Sequence, residues 1–241
     1  LGELSDNHNF NMTQRPVYPY LLKSAGLCLA LLCFLGCEQL FKADVEEELR
    51  NAIQNNSVAE VKELLKRGMP VDIRNKAGWT PVMLATTRNN TDIIKALLEN
   101  NADINLIENK SQTALHLASR WGKAETVKYL LDNGAGRDPR DYLSWTPLMW
   151  STLMGRTEIC DILIKNGASI YATDVAGNTL IILAVWRGHS DTADLLLTYG
   201  ADPFHANKTG MNAIAVAEKH GYAALAARLK KAGDRAAGHR F

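Results

Sequence analysis

A threonine recurs at a fixed interval of 33 residues: Thr80, Thr113, Thr146 and Thr179, with Asn212 taking the fifth place. Each opens a similar hexapeptide, TPVMLA at 80–85, TALHLA at 113–118, TPLMWS at 146–151 and TLIILA at 179–184. One period upstream, EELRNA at 47–52 is a polar version of the same unit. Leu64, Leu97, Leu130, Leu163, Leu196 and Leu229 keep the same step, as do Gly68, Asn101, Gly134, Gly167, Gly200 and Gly233. A constant period without insertions constrains the fold more than any other feature. Each unit is one small supersecondary element that cannot bury its apolar face alone, so the core has to come from stacking neighbours.

Within a unit the local chemistry specifies two helices. Thr80 and Thr146 are suited to cap a helix start, and Pro81 and Pro147 occupy the first helical position, where a missing N–H costs nothing. Ala85, Ala118, Ala184 and Ala217 are small enough for neighbouring helices to approach closely. The second helix carries an i, i+3, i+4 stripe, as in Val61/Leu64/Leu65, Ile94/Leu97/Leu98 and Val127/Leu130/Leu131. Gly68, Gly134, Gly167 and Gly200 follow where a left-handed C-terminal cap is wanted. Asp72, Asn105, Asp174 and Asn207 are expected to begin the turns between units. The expected fold class is therefore all-α, a solenoid of stacked helix–turn–helix units with projecting turns.

These residues resemble the ankyrin repeat, whose TPLHxA signature has this period. The resemblance covers residues 47–233 as six units: 47–79, 80–112, 113–145, 146–178, 179–211 and 212–233. It departs from the pattern at Trp150 and Ser151, which replace Leu or small residues, at Arg137, and in the sixth unit, which lacks Thr and Pro. Acids at Asp44, Glu46, Glu47 and Glu48 and the Ala- and Lys-rich stretch 223–231 suit polar end caps, with a polar tail at 234–241.

Composition excludes several function classes. The 241 residues carry 27 Lys+Arg against 26 Asp+Glu, a net charge of +1, so no polybasic tract for nucleic acid is present. His116 and His189 belong to the repeat pattern, and His205 and His220 have no Cys or carboxylate at metal spacing. Cys160 falls in register with Val61, Ile94 and Val127, the place of a small core residue. No Gly-rich phosphate loop, nucleophile elbow or paired carboxylates occur, and Asp138–Asp141 reads as a charged turn. The chain is expected to be no enzyme and to need no cofactor or metal.

The N-terminal segment has a different character. Ala25 to Leu35, AGLCLALLCFL, is uncharged, follows Arg15 and Lys23, and ends at Gly36-Cys37. A positive segment, a short apolar run and a small residue form a signal peptide, here 12–36, and the run is too short for a helix to cross a bilayer. The ending Phe34-Leu35-Gly36-Cys37 resembles a bacterial lipobox, which implies acylation of Cys37 and a lipidated linker over 37–46. Residues 1–11 are expected to be an upstream, non-native segment before Met12. The implied location is the periplasmic face of a bacterial membrane, the outer membrane favoured, with a soluble periplasmic protein as the alternative. The membrane is contacted through the lipid alone.

Partners of ankyrin repeats dock on the turns and on the inner end of each first helix. By resemblance, that face comprises positions −6, −4, −3, −1, +7 and +8 from each Thr (or Asn212). Those thirty positions hold four of the five tryptophans, nine Lys/Arg and no Asp or Glu, whereas second helices carry acids such as Glu60, Glu125 and Asp191. Trp and Arg are enriched at binding hot spots. The expected partner is a protein with an acidic surface, bound by Trp79, Arg88, Arg120, Trp121, Tyr142, Leu143, Trp145, Leu153, Met154, Trp186 and Arg187. Trp79 and Trp145 are equally placed to pack on the adjacent turn as structure. The alternative role is an effector or intracellular regulator binding host or cytosolic proteins.

Overall fold

A computed structural model describes residues 47–238, with side chains through residue 234. The segments expected to be an upstream stretch (1–11), a signal peptide (12–36) and a linker with Cys37 (37–46), together with residues 239–241, lie outside the described residues.

Twelve helices follow one another in this range. They are α1 (47–54), α2 (Val58–Lys66), α3 (Pro81–Thr87), α4 (Thr91–Glu99), α5 (Ala114–Trp121), α6 (Ala124–Asp132), α7 (Pro147–Leu153), α8 (Thr157–Lys165), α9 (Leu180–Trp186), α10 (Ser190–Thr198), α11 (Ala213–Lys219) and α12 (Ala223–Gly238). The recurring Thr residues start the odd-numbered ones. Thr80, Thr146 and Thr179 accept the backbone N–H three residues on, at 3.4, 3.3 and 3.5 Å, and Asn212 does the same at 2.9 Å. Each cap satisfies one of the orphan donors of a helix only two turns long. Gly68, Gly134, Gly167 and Gly200 adopt φ of +84 to +87° past the even-numbered helices, and Asn101 takes the same role at +65°.

The helices form two layers. The first helices α3, α5, α7, α9 and α11 pack side by side, and the second helices lie behind them, from α2 to α12. Ala85, Ala118, Ala184 and Ala217 are wholly buried at the seam, so close approach of the first helices depends on their missing bulk. One continuous core runs from Leu49 to Leu229. Among the described residues the only strand-like pairing is an isolated bridge between Thr173 and Thr179. The fold is an all-α solenoid. At its C-terminal end α12 runs on to Gly238, so the start of the polar tail expected from 234 is helical. No helix among the described residues is long and apolar enough to cross a membrane.

Candidate partner-binding face

The turns are closed by a second periodic residue, five positions before each Thr. Asn75, Glu108, Asp141, Asp174 and Asn207 each accept the backbone N–H groups two and four residues on, all between 2.8 and 3.1 Å. This double acceptance fixes the residue just before the Thr: Trp79, Gln112, Trp145, Asn178 or Met211. Asp72, Asn105 and Asp138, eight before the Thr, do something else. They reach forward into the next turn and accept the N–H of Asp103, Gly136 and Ser169. Thus Asp72 and Asn105 tie units together while Asp174 and Asn207 close their own turns, two roles that composition does not separate.

Asp141 is the most heavily used of these acids. It is buried, and besides its two backbone donors Oδ2 accepts Gln112 Nε2 at 3.0 Å and Trp150 Nε1 at 2.8 Å. Trp150 is itself buried, tilted against Trp145 with ring centroids 4.9 Å apart. Arg120 lies over two indoles at once, its Cζ 4.3 Å from the centroid of Trp150 and 4.5 Å from that of Trp121. Its Nε is enclosed without an acceptor. Trp121, by contrast, is 46% exposed.

Next to this cluster, a groove of about 390 Å³ opens between the turns and first helices from Trp145 to His220. Trp145 and Trp186 flank it together with Ile182 and Met211, Lys219 and His220 bring basic side chains to it, and Asp174 lines it with its oxygens engaged by the Ala176 and Asn178 N–H groups and the Asn178 amide. Trp186 is 51% exposed, and Arg187 lies 5.9 Å from the centre of its ring. An apolar wall with a few polar groups is the usual make-up of a site that takes a side chain from a partner.

The residues expected on this face are thereby sorted. Arg120, Trp121 and Trp145 meet through Trp150, and Trp145 and Trp186 share the groove. Tyr142 is exposed at the tip of its turn, Arg88 and Arg187 are exposed at helix ends, and Leu143 and Met154 are half-buried. Trp79, at the end of the first unit, is half-buried against the core, and Arg88 belongs to the second unit; neither lines the groove. Leu153 requires a correction: it is buried, packed within α7, and presents only its carbonyl, which accepts His189 Nε2 at 3.0 Å. The offset does not decide this, since Trp186 ends α9 at the same offset and is half-exposed; the packing of α7 against its neighbours turns Leu153 inward.

Three participants are not apparent from the sequence. Trp150 stands where Leu84, Leu117 and Leu183 stand in other units, and a ring in a leucine place is the only signal of it. Asp141 and Glu108 belong to the register five before the Thr, outside the thirty positions compared, so the face has buried acids beneath its basic rim. Their lone pairs are engaged by turn N–H groups, which keeps the exposed part basic.

The reactive side chains are occupied structurally. Cys160 is buried, with its thiol directed to Ser151 Oγ at 3.2 Å, and burial pushes its pKa up, away from a nucleophilic thiolate. His116 accepts the Thr113 N–H on Nδ1, so Nε2 carries the proton and donates to the Trp145 carbonyl at 3.0 Å. Among the described residues no group of three His, Cys, Asp or Glu converges on a point.

A family model described as ankyrin repeats in three copies matches residues 26–108, 49–142, 89–174 and 137–207, which together cover most of the chain. Among curated proteins, none matches it.

Proposed function

This chain belongs to the ankyrin-repeat family, a family of protein-interaction modules, and on that premise we propose that it is a non-catalytic scaffold binding an acidic protein partner. The contact is made through the face where turns meet first helices. The observation that carries this reading is the groove between Trp145 and Trp186, lined by Lys219 and His220 with Arg187 beside the Trp186 ring. Exposed indoles beside cations combine large contact area with charge complementarity. The test is photo-crosslinking from position 187, with Trp186→Ala and Lys219→Glu compared against the parent chain. Loss of capture in both variants supports the reading. Equal capture by all three sinks it.

For location, the apolar run before Cys37 supports an exported protein acylated at that thiol, held at the periplasmic side of a bacterial membrane. A second reading has its own observation: the first family match begins at residue 26, inside the apolar run. On that reading the run belongs to the repeat array and the chain is an unexported regulator. Palmitate labelling separates the two, because incorporation that disappears in Cys37→Ser supports the anchor, and none in the parent chain removes it.

A further inference from the structure

We propose that Arg120 is the anchor of this face, a guanidinium pre-set on two indoles to take one carboxylate from an acidic peptide segment. The neighbouring apolar side chain of that segment enters the groove between Trp145 and Trp186. The inference rests on the partner-binding reading above and adds to it the chemistry of the contact.

Two arginines of the turns are already engaged. Arg74 donates to the Ile107 carbonyl, and Arg140 donates to the carbonyls of Ser144 and Thr173. Arg67 and Arg228 pair with Glu63 and Asp194 on the second helices. Arg120 has neither a carboxylate nor a carbonyl among the described residues, although it is half-buried and its Nε is enclosed. A half-buried guanidinium without a counter-charge is destabilising, and an anion on its outer N–H groups relieves that, while the enclosed Nε stays out of its reach. With its faces engaged by rings, a guanidinium offers ligands its edge, the planar fork of donors that matches a carboxylate.

The surroundings hold Arg120 for this task. Asp141 accepts the indole N–H of Trp150, which makes that ring a better seat for a cation. Asp141 does not compete for the guanidinium, since its oxygens already serve four donors. Trp121 covers Arg120 from the solvent side of the same helix end, so much of the side-chain entropy is lost before any ligand arrives. Arg120 is the one cation seated on this pair of rings, and one guanidinium matches a singly charged carboxylate better than a phosphate dianion. Trp145 touches Trp150 on one side and the groove on the other, which makes the anchor and the groove continuous.

The experiment uses a fluorescent peptide of alternating glutamate and leucine, with two partners in which glutamine or phosphoserine replaces glutamate. The full chain is compared with Arg120→Lys, which keeps the charge but loses the fork, with Trp121→Leu, and with Trp186→Ala. Far-UV circular dichroism checks that each variant is folded. The expected result is binding of the glutamate peptide, and a loss of about tenfold or more, some 1.4 kcal/mol, in Arg120→Lys, in Trp121→Leu and with the glutamine peptide. Unchanged binding in a folded Arg120→Lys overturns the anchor. If Trp186→Ala still abolishes binding in that case, the face itself stands. Binding of the phosphoserine peptide alone overturns the carboxylate assignment, and no binding of the glutamate peptide by the parent chain overturns the proposal.

Discussion

The indole N–H of Trp150 donates to Oδ2 of Asp141 at 2.8 Å, across nine residues and a helix start. This bond joins the turn before Thr146 to the first helix after it, and Asp141 thereby holds together the backbone of its own turn, Gln112 of the previous unit and the floor beneath Arg120. A buried carboxylate with four donors is expensive to lose, because every donor is left without a partner. Asp141→Ala is expected to lower stability by about 3 kcal/mol or more, and Asp141→Asn by less, since Oδ1 still accepts both backbone N–H groups. Urea unfolding measures both, and an Asp141→Ala chain as stable as its parent contradicts the network.

His116 supplies a pH dependence with a definite sign. Burial holds its pKa below the ordinary value of 6.5. The unfolded chain takes up a proton on this residue near pH 6.5 while the folded chain does not, so its contribution is complete above 6.5 and is lost progressively as pH falls toward the folded pKa. His116→Gln is expected to lower stability at neutral pH and to flatten the decline as pH falls below 6.5. Parallel profiles for the two chains would count against the neutral, bridging imidazole.

Gly155 and Gly134 are both in the left-handed region, at φ +64° and +87°, but only one of them is crowded. A Cβ on Gly155 would meet His189 Nδ1 at 2.5 Å, whereas nothing lies within 4 Å of one on Gly134. Gly134→Ala therefore carries backbone strain alone, about 1 kcal/mol. Gly155→Ala is expected to cost about twice that or more, because His189 must swing away and give up the Leu153 carbonyl. Thermal unfolding of the two variants side by side tests the difference.

Cys160 is expected to be silent to a thiol reagent in the folded chain. Its sulfur is buried against Ser151 and Thr152 and its pKa is raised by that burial. Peptide mapping after labelling with and without denaturant reads the outcome at this residue alone. Rapid labelling of the native chain at Cys160 would reopen it as a reactive group.

The 33-residue step, the capping Thr residues and the apolar stripes were enough to specify an all-α solenoid, because each is a local rule repeated in register. A helix two turns long with a capped start and a small residue at its seam has few other ways to bury its face. The composition of the turn side was equally legible, as residues of one kind recur at fixed offsets from the Thr. What the sequence could not settle was which of those side chains meet. Trp150 finds Asp141 because the chain folds back between the turn and α7, and Arg120 finds Trp150 only because stacking brings α5 against α7. Leu153, matching its neighbours by offset, turned inward for the same reason. Periodicity is a property of one chain segment, but burial and partnership are decided between segments, by the distance and angle at which one unit lies on the next.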